Sequence, residues 1–240
     1  MNAIVWRLVG CALLGGTIIG LSGCSGDSNA VHVTKGTPAA KPGEVVGGSD
    51  AATDALATAY SQLVDLDKKY AEQLRRVQWP TLFDVHRLGT DSELSQSARI
   101  VLDARAVRTE AFRRRDSVVD EHRRALADAT SDTAGREAAL SRFDRGTAPL
   151  LADMRELSAA ETELVTQSEL LVRFLTDHRS AWSVQGDQVT YDNEDDQAQF
   201  EVMMNRVIIS TEREQEMHRR YVSTLTQAAM QDATRHQSRN

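Results

Sequence analysis

This sequence has almost no cysteine. Its two cysteines, Cys11 and Cys24, both fall near the start of the chain. The domain beyond them has no disulfide and no free thiol, so its own core must hold it. Long apolar runs are also missing. The most apolar stretch, Leu8 to Leu21, is shorter than the ~18–20 residues that a spanning helix needs. Positive charge is in short supply, with 28 Lys and Arg against 35 Asp and Glu and a net charge of −7. That balance does not suit a nucleic-acid partner, which rewards clustered cations, nor polybasic attraction to an anionic bilayer. Catalytic signatures are absent too. There is no Gly-x-Ser-x-Gly, no phosphate-binding loop, no dinucleotide-binding glycine pattern and no His-Glu-x-x-His. No histidine has a glutamate three positions before it, so the di-iron bundle pattern is missing. No residue stands out as catalytic, and neither a metal nor another cofactor is expected. The chain reads as a non-enzyme.

What is present starts with Arg7, the apolar stretch, and then Leu21-Ser22-Gly23-Cys24. A short apolar run behind a positive charge, closed by small residues, is the pattern of a cleaved export signal. Leu21-Ser22-Gly23-Cys24 resembles the bacterial lipobox. The resemblance implies cleavage before Cys24, acylation of Cys24, and a protein hung by lipid from a bacterial membrane. It would face outside the cytoplasm, on the outer membrane or cell surface rather than the inner membrane. A signal cut without acylation is the competing reading. Two or more acyl chains give stable anchoring, since each buried CH₂ contributes roughly 0.8 kcal/mol.

The rest divides by composition. Residues 1–23 form the signal and 24–49 the lipidated cysteine and a linker. Residues 50–230 form a helical domain, and 231–240 a disordered tail. The linker carries Gly26, Gly36, Gly43, Gly47 and Gly48 with Pro38 and Pro42. It has too little apolar surface to offset ordering entropy. As a coil it would span roughly 25–30 Å.

Apolar periodicity predicts four long helices. The first runs Ala51 to Gln78, with Ser49 or Asp50 as cap. Leu56, Leu63, Tyr70 and Val77 recur every seven residues, with Ala59, Leu66 and Gln73 between them. Trp79-Pro80 ends it. After a connector over Thr81–Gly89, a second helix spans Ser92 to Ala129 with a thin apolar face of Leu94, Ala98, Val101, Leu102, Phe112, Val119 and Leu126. Thr130 to Gly135 reads as a turn. The third, Arg136 to His178, keeps a three-and-four alternation from Leu140 through Leu157, Glu161, Leu164 and Ser168 to Leu175. Gly146 and Pro149 predict a break or kink there. Trp182, Val184, Val189 and Tyr191 alternate around Gln185-Gly186-Asp187-Gln188 as a small hairpin. Asn193 caps the last helix, which runs to about Ala229.

Two features invite a binding role. The first is a run of arginines, Arg105, Arg108, Arg113, Arg114, Arg115, Arg123 and Arg124. Eight arginines between Asp91 and Ala129 are matched by eight acids, which favours a solvated face laced with i,i+4 pairs such as Glu110–Arg114. The second is the hairpin rings, Trp182 and Tyr191. Rings beside cations suit sugars and headgroups, so Arg113, Arg114, Arg115, Trp182 and Tyr191 are the candidate binding residues. Glu161 and Ser168 sit on the third seam, where polar residues more often set register.

Phe174 to Tyr221, with its long helix, hairpin and acid-capped helix, resembles the C-terminal part of uncharacterised bacterial envelope lipoproteins typified by enterobacterial examples. That resemblance implies the architecture and the lipoprotein address, with no activity attached. The expectation is an all-α, elongated antiparallel bundle of four main helices with a small β-hairpin before the last. Its function would be that of a membrane-anchored, non-enzymatic scaffold with an envelope protein partner. The alternative is a binding module for a cell-wall or lipid ligand.

Overall fold

The computed structural model describes residues 48–237, and side chains over 51–227. The expected export signal, Cys24 and the expected linker before Gly48 lie outside the described residues, as do the last three. In chain order the elements are α1 (Gly48–Arg76), α2 (Val85–Thr90), α3 (Ser95–Ala129), α4 (Thr133–Asp177), β1 (Trp182–Gln185), β2 (Gln188–Tyr191) and α5 (Glu194–Gln237). Four long helices pack against each other, and the hairpin precedes the last. The longest, α4 with 45 residues, is about 67 Å long at 1.5 Å per residue. No described helix is long and apolar enough to cross a membrane.

The seam of α4 explains the packing. Phe143, Thr147, Leu150, Met154, Leu157, Glu161, Leu164, Ser168, Leu171 and Leu175 are all buried. A strict three-four repeat keeps one face on its neighbours. This face meets α5 over the most extensive helix contact in the molecule, and meets α3 and α1 as well. Asp132 caps α4 by accepting from the Gly135 N–H at 2.6 Å, and Asn193 caps α5 by accepting from the Asp196 N–H at 2.8 Å.

Several expectations need correction. The break near Gly146 is not there: α4 runs through Pro149 without interruption. The Thr147 hydroxyl donates to the Phe143 carbonyl at 3.0 Å inside the helix. Gly146 has a packing role instead. A Cβ there would come within 2.8 Å of Leu56 Cδ1, and the Tyr60 hydroxyl donates to the Gly146 carbonyl at 2.8 Å. The missing side chain lets α1 approach α4. On α1, Gln73 is exposed and Leu74 takes the seam position, because the step after Tyr70 is four residues rather than three. On α3, Ala98 and Leu102 face outward. The helix begins at Ser95, behind Leu94 in a left-handed conformation (φ 54°). α5 continues past Ala229 to Gln237.

Alternating directions put α2 and the hairpin at one end of the bundle. The start of α1 and the α3–α4 turn lie at the other. The hairpin pairs Trp182 with Tyr191 and Gln185 with Gln188. Its turn is therefore Gly186-Asp187, with Gly186 at φ +64°, a backbone conformation that glycine adopts without a Cβ penalty. A lone hairpin is marginal in water, and here Trp182, Val184, Val189 and Tyr191 pack on the bundle.

The interior is two apolar clusters. One, at the hairpin end, includes Leu74, Trp79, Leu88, Leu164, Leu171, Trp182 and Phe200. The other includes Leu63, Leu126, Phe143, Leu150, Leu157 and Leu225. On α4 the boundary falls between Leu157 and Leu164, where the seam position is Glu161.

Candidate functional site: a charged layer inside the bundle

Each long helix contributes to that boundary. α1 supplies Asp67 and Tyr70, α3 supplies Arg108 and Arg115, α4 supplies Glu161, and α5 supplies Glu214, His218 and Tyr221. Arg115 and Glu161 are only 1% and 2% exposed, and Arg108 and Glu214 are also buried.

The contacts form one network. Arg115 donates through Nη2 to Asp67 Oδ1 at 2.9 Å, and His218 Nε2 lies 3.1 Å from Asp67 Oδ2. The Tyr70 hydroxyl donates to Glu161 Oε1 at 2.8 Å. The same oxygen faces Arg115 Nη1 at 3.8 Å and Arg108 Nη1 at 3.9 Å. Arg108 also faces Glu214 Oε1 at 3.7 Å. Aromatic rings shield the guanidinium groups. Arg115 lies 4.9 Å from the Tyr70 ring centroid and 5.2 Å from that of Tyr221, and Arg108 lies 4.9 Å from that of Trp79. Such stacking suits the weakly hydrated guanidinium.

Electrostatics follows from this geometry. Burial works against the His218 imidazolium, but the hydrogen bond and charge of Asp67, with Glu214 behind them, outweigh it and raise the His218 pKa. Burial alone would raise the Asp67 carboxyl. The His218 bond, with the charges of His218 and Arg115, outweighs that and holds it below the usual carboxylate range. At Glu214 burial wins, against the charge of Arg108, and the pKa is raised. With His218 protonated, the three cations match three carboxylates.

The network is not fully satisfied. Arg108 Nε and Nη1 and Arg115 Nε are buried with no hydrogen-bond partner. Unpaired buried donors are rare and costly. A buried charge network is also poor value for stability compared with an apolar layer of equal volume. Helix bundles place ligand sites among such inward-facing polar side chains. Among the described residues, no group of three or more His, Cys, Asp or Glu is placed to hold a metal ion.

The candidates from the sequence fall in different places. Arg113 and Arg114 are exposed, and both bind Glu110, at 2.8 and 2.7 Å. These bonds hold the Glu110 carboxyl down at about 2. Arg115, expected beside them on a solvated face, points into the core instead, one third of a turn further round α3. Arg108 departs from the solvated face in the same way. Trp182 is buried, its indole N–H donating to the Leu175 carbonyl at 2.8 Å, with the Arg179 guanidinium 4.3 Å from its ring centroid. Tyr191 is half-buried among Phe174 and Phe200. No contact among the described residues joins Arg113 or Arg114 to the hairpin rings. Cys24 lies outside the described residues.

Sequence reading missed Asp67, Arg108, Glu214 and His218 as members of the charged layer around Glu161. A signal was available. Val101, Arg108 and Arg115 are spaced by seven, so the thin face of α3 has arginines where its apolar stripe lapses. On α5 the stripe lapses between Val207 and Tyr221, at Glu214 and His218.

No family model matches the chain, and no curated protein or solved structure matches it either.

Proposed function

We propose that this chain is a lipid-anchored protein of a bacterial envelope, acting without catalysis as a scaffold or adaptor through contacts of its helices with a partner protein. The signal-like start, the Leu21-Ser22-Gly23-Cys24 sequence and the Gly- and Pro-bearing linker support the anchor. The fold observation that carries the reading is polarity. The chain enters α1 at the end of the bundle opposite the hairpin. An anchor at Cys24 would therefore tether the bundle by the end opposite the hairpin, and a linker of roughly 25–30 Å would leave the hairpin end and the long helix faces free to meet a partner. Leu102, Val202 and Ile209 are large aliphatic side chains exposed on α3 and α5, suited to contacts with another helix.

Two measurements test the two parts. Mass spectrometry of the protein from a bacterial host should find a diacylglyceryl thioether at Cys24, lost in Cys24→Ser. An unmodified Cys24 in membrane fractions would remove the anchor. Photo-crosslinkers at Leu102, Val202 and Ile209 in intact cells should capture one recurrent envelope protein. Repeated failure to capture any protein at all three positions would remove the scaffold.

A further inference from the structure

The groove between α3 and α4 opens into a pocket of about 330 Å³ that reaches the charged layer. Arg105 and Arg108 stand one turn apart on its α3 wall, and Glu161, Thr162 and Thr166 line its α4 wall. Phe112 and Val165 supply an apolar lining.

The donors and acceptors of this pocket are unevenly matched. Arg108, 5% exposed, has two N–H-bearing nitrogens without a hydrogen-bond partner, and its carboxylate neighbours are beyond hydrogen-bond length. Arg105 at the mouth holds Glu169. The α3 wall thus offers charge-assisted donors beside Thr109, whose hydroxyl already donates to the Arg105 carbonyl at 2.9 Å. The α4 wall offers acceptors. The hydroxyls of Thr162 and Thr166 already donate to the carbonyls one turn back, each at 2.8 Å, which leaves their oxygens free only to accept. The Tyr70 bond and both arginine ion pairs at Glu161 reach Oε1, leaving Oε2 for another donor.

We propose that this pocket binds a free amino acid with an apolar side chain, its carboxylate on Arg105 and Arg108, its ammonium on Glu161 and the threonine oxygens, and its side chain on Phe112 and Val165. A zwitterion brings an acceptor to the donor wall and a donor to the acceptor wall. It adds no net charge to a layer already in balance. A phosphate dianion would face Glu161 and Glu169. A simple amine would leave Arg108 unpaired, and a simple acid would leave Glu161 without its donor. The volume is at the small end of ligand pockets, which run ~300–1,000 Å³, and fits one residue rather than a peptide. The site owes nothing to the lipid anchor, so its test does not depend on lipidation.

Calorimetric titration of the full chain in detergent with L-leucine and L-phenylalanine tests it, alongside isoamylamine and 4-methylpentanoate as one-charge analogues of leucine. Saturable one-site binding is expected for at least one of the two amino acids, with both analogues at least about tenfold weaker, as loss of a charge-assisted hydrogen bond implies. Arg105→Gln and Thr162→Val lie at exposed positions. They should keep the helical circular dichroism signal and weaken amino-acid binding by about tenfold and about threefold. No saturable binding of either amino acid overturns the proposal. So does an analogue that binds as tightly as leucine, or an Arg105→Gln protein that folds and binds unchanged.

Discussion

The apolar clusters and the charged layer between them are built on the same four helices, yet they answer to different rules. In the clusters, leucines and rings meet at seam positions, and each contact stands on its own burial. In the layer, the same seam positions carry Arg108, Arg115, Glu161 and Glu214, and every charge depends on its neighbours. A cluster residue can be lost at the cost of its own packing. A layer residue leaves an uncompensated charge behind. The clusters supply the apolar burial that drives folding, and the layer ties all four helices together by charge.

The largest effects should come from single deletions on both sides of this contrast. Trp182→Ala should cost about 3–5 kcal/mol by loss of a buried ring, and Glu161→Ala a similar ~3–5 kcal/mol by removing the carboxylate that Arg108 and Arg115 share. Urea unfolding measures both. A loss under ~1 kcal/mol at Trp182 would move the hairpin from core to surface role. Next in size, replacing the layer as a unit separates the two rules. Arg108→Met, Arg115→Met, His218→Met, Asp67→Leu, Glu161→Leu and Glu214→Leu together should leave stability unchanged or raise it by ~1–4 kcal/mol. A combined variant less stable than Glu161→Ala alone would show that the layer is a net source of stability. Within the cluster remote from the hairpin, Gly146→Ala should cost about 1 kcal/mol net, because the new methyl group meets Leu56 while alanine regains helix propensity. An unaltered melting temperature would mean that α1 can move away freely.

The smallest effect is on pH. His218 and Glu214 have raised pKa values in the folded state. Their contributions are complete below their unfolded values, roughly 6.5 and 4.3, and are lost as pH rises through the folded ones. Asp67 is lowered, so its contribution holds above roughly 3.9 and is lost as pH falls through the folded value. Stability should be greatest in mildly acid solution and fall above neutrality. His218→Gln should flatten the fall on the alkaline side. An identical slope in wild type and variant would take His218 out of the account.

Much of this was readable in the chain. The α4 seam, the Asn193 cap and the hairpin all follow from local spacing, because three-four periodicity and turn chemistry act over a few residues. The continuity of α4 was not readable. Gly146 and Pro149 weaken a helix locally, and only Leu56 and Tyr60, far away in sequence, show why the helix is kept. The charged layer was half readable. Arg108 and Arg115 hold seam spacing, yet an arginine on a seam can turn outward, and the choice depends on Glu161, Asp67 and Glu214 arriving at the same height. Balanced counts of arginine and acid on one helix suggested pairing within that helix. Arg113 and Arg114 do pair that way with Glu110, while Arg108 and Arg115 pair across the bundle.

Shared ownership of the layer also predicts an order of assembly. α3 and α4 are joined by a turn of a few residues, so their pairing closes a short loop and comes cheaply in entropy. The Asp67–His218 contact bridges a separation of 151 residues and must wait for α5. Until then Arg108 lacks Glu214, and Arg115 lacks the Tyr221 ring. Docking of α5 is thus expected to complete their burial. Amide exchange around Glu214 should precede that in the middle of α4 under native conditions. Exchange of the two segments in step would mean that the bundle closes all at once.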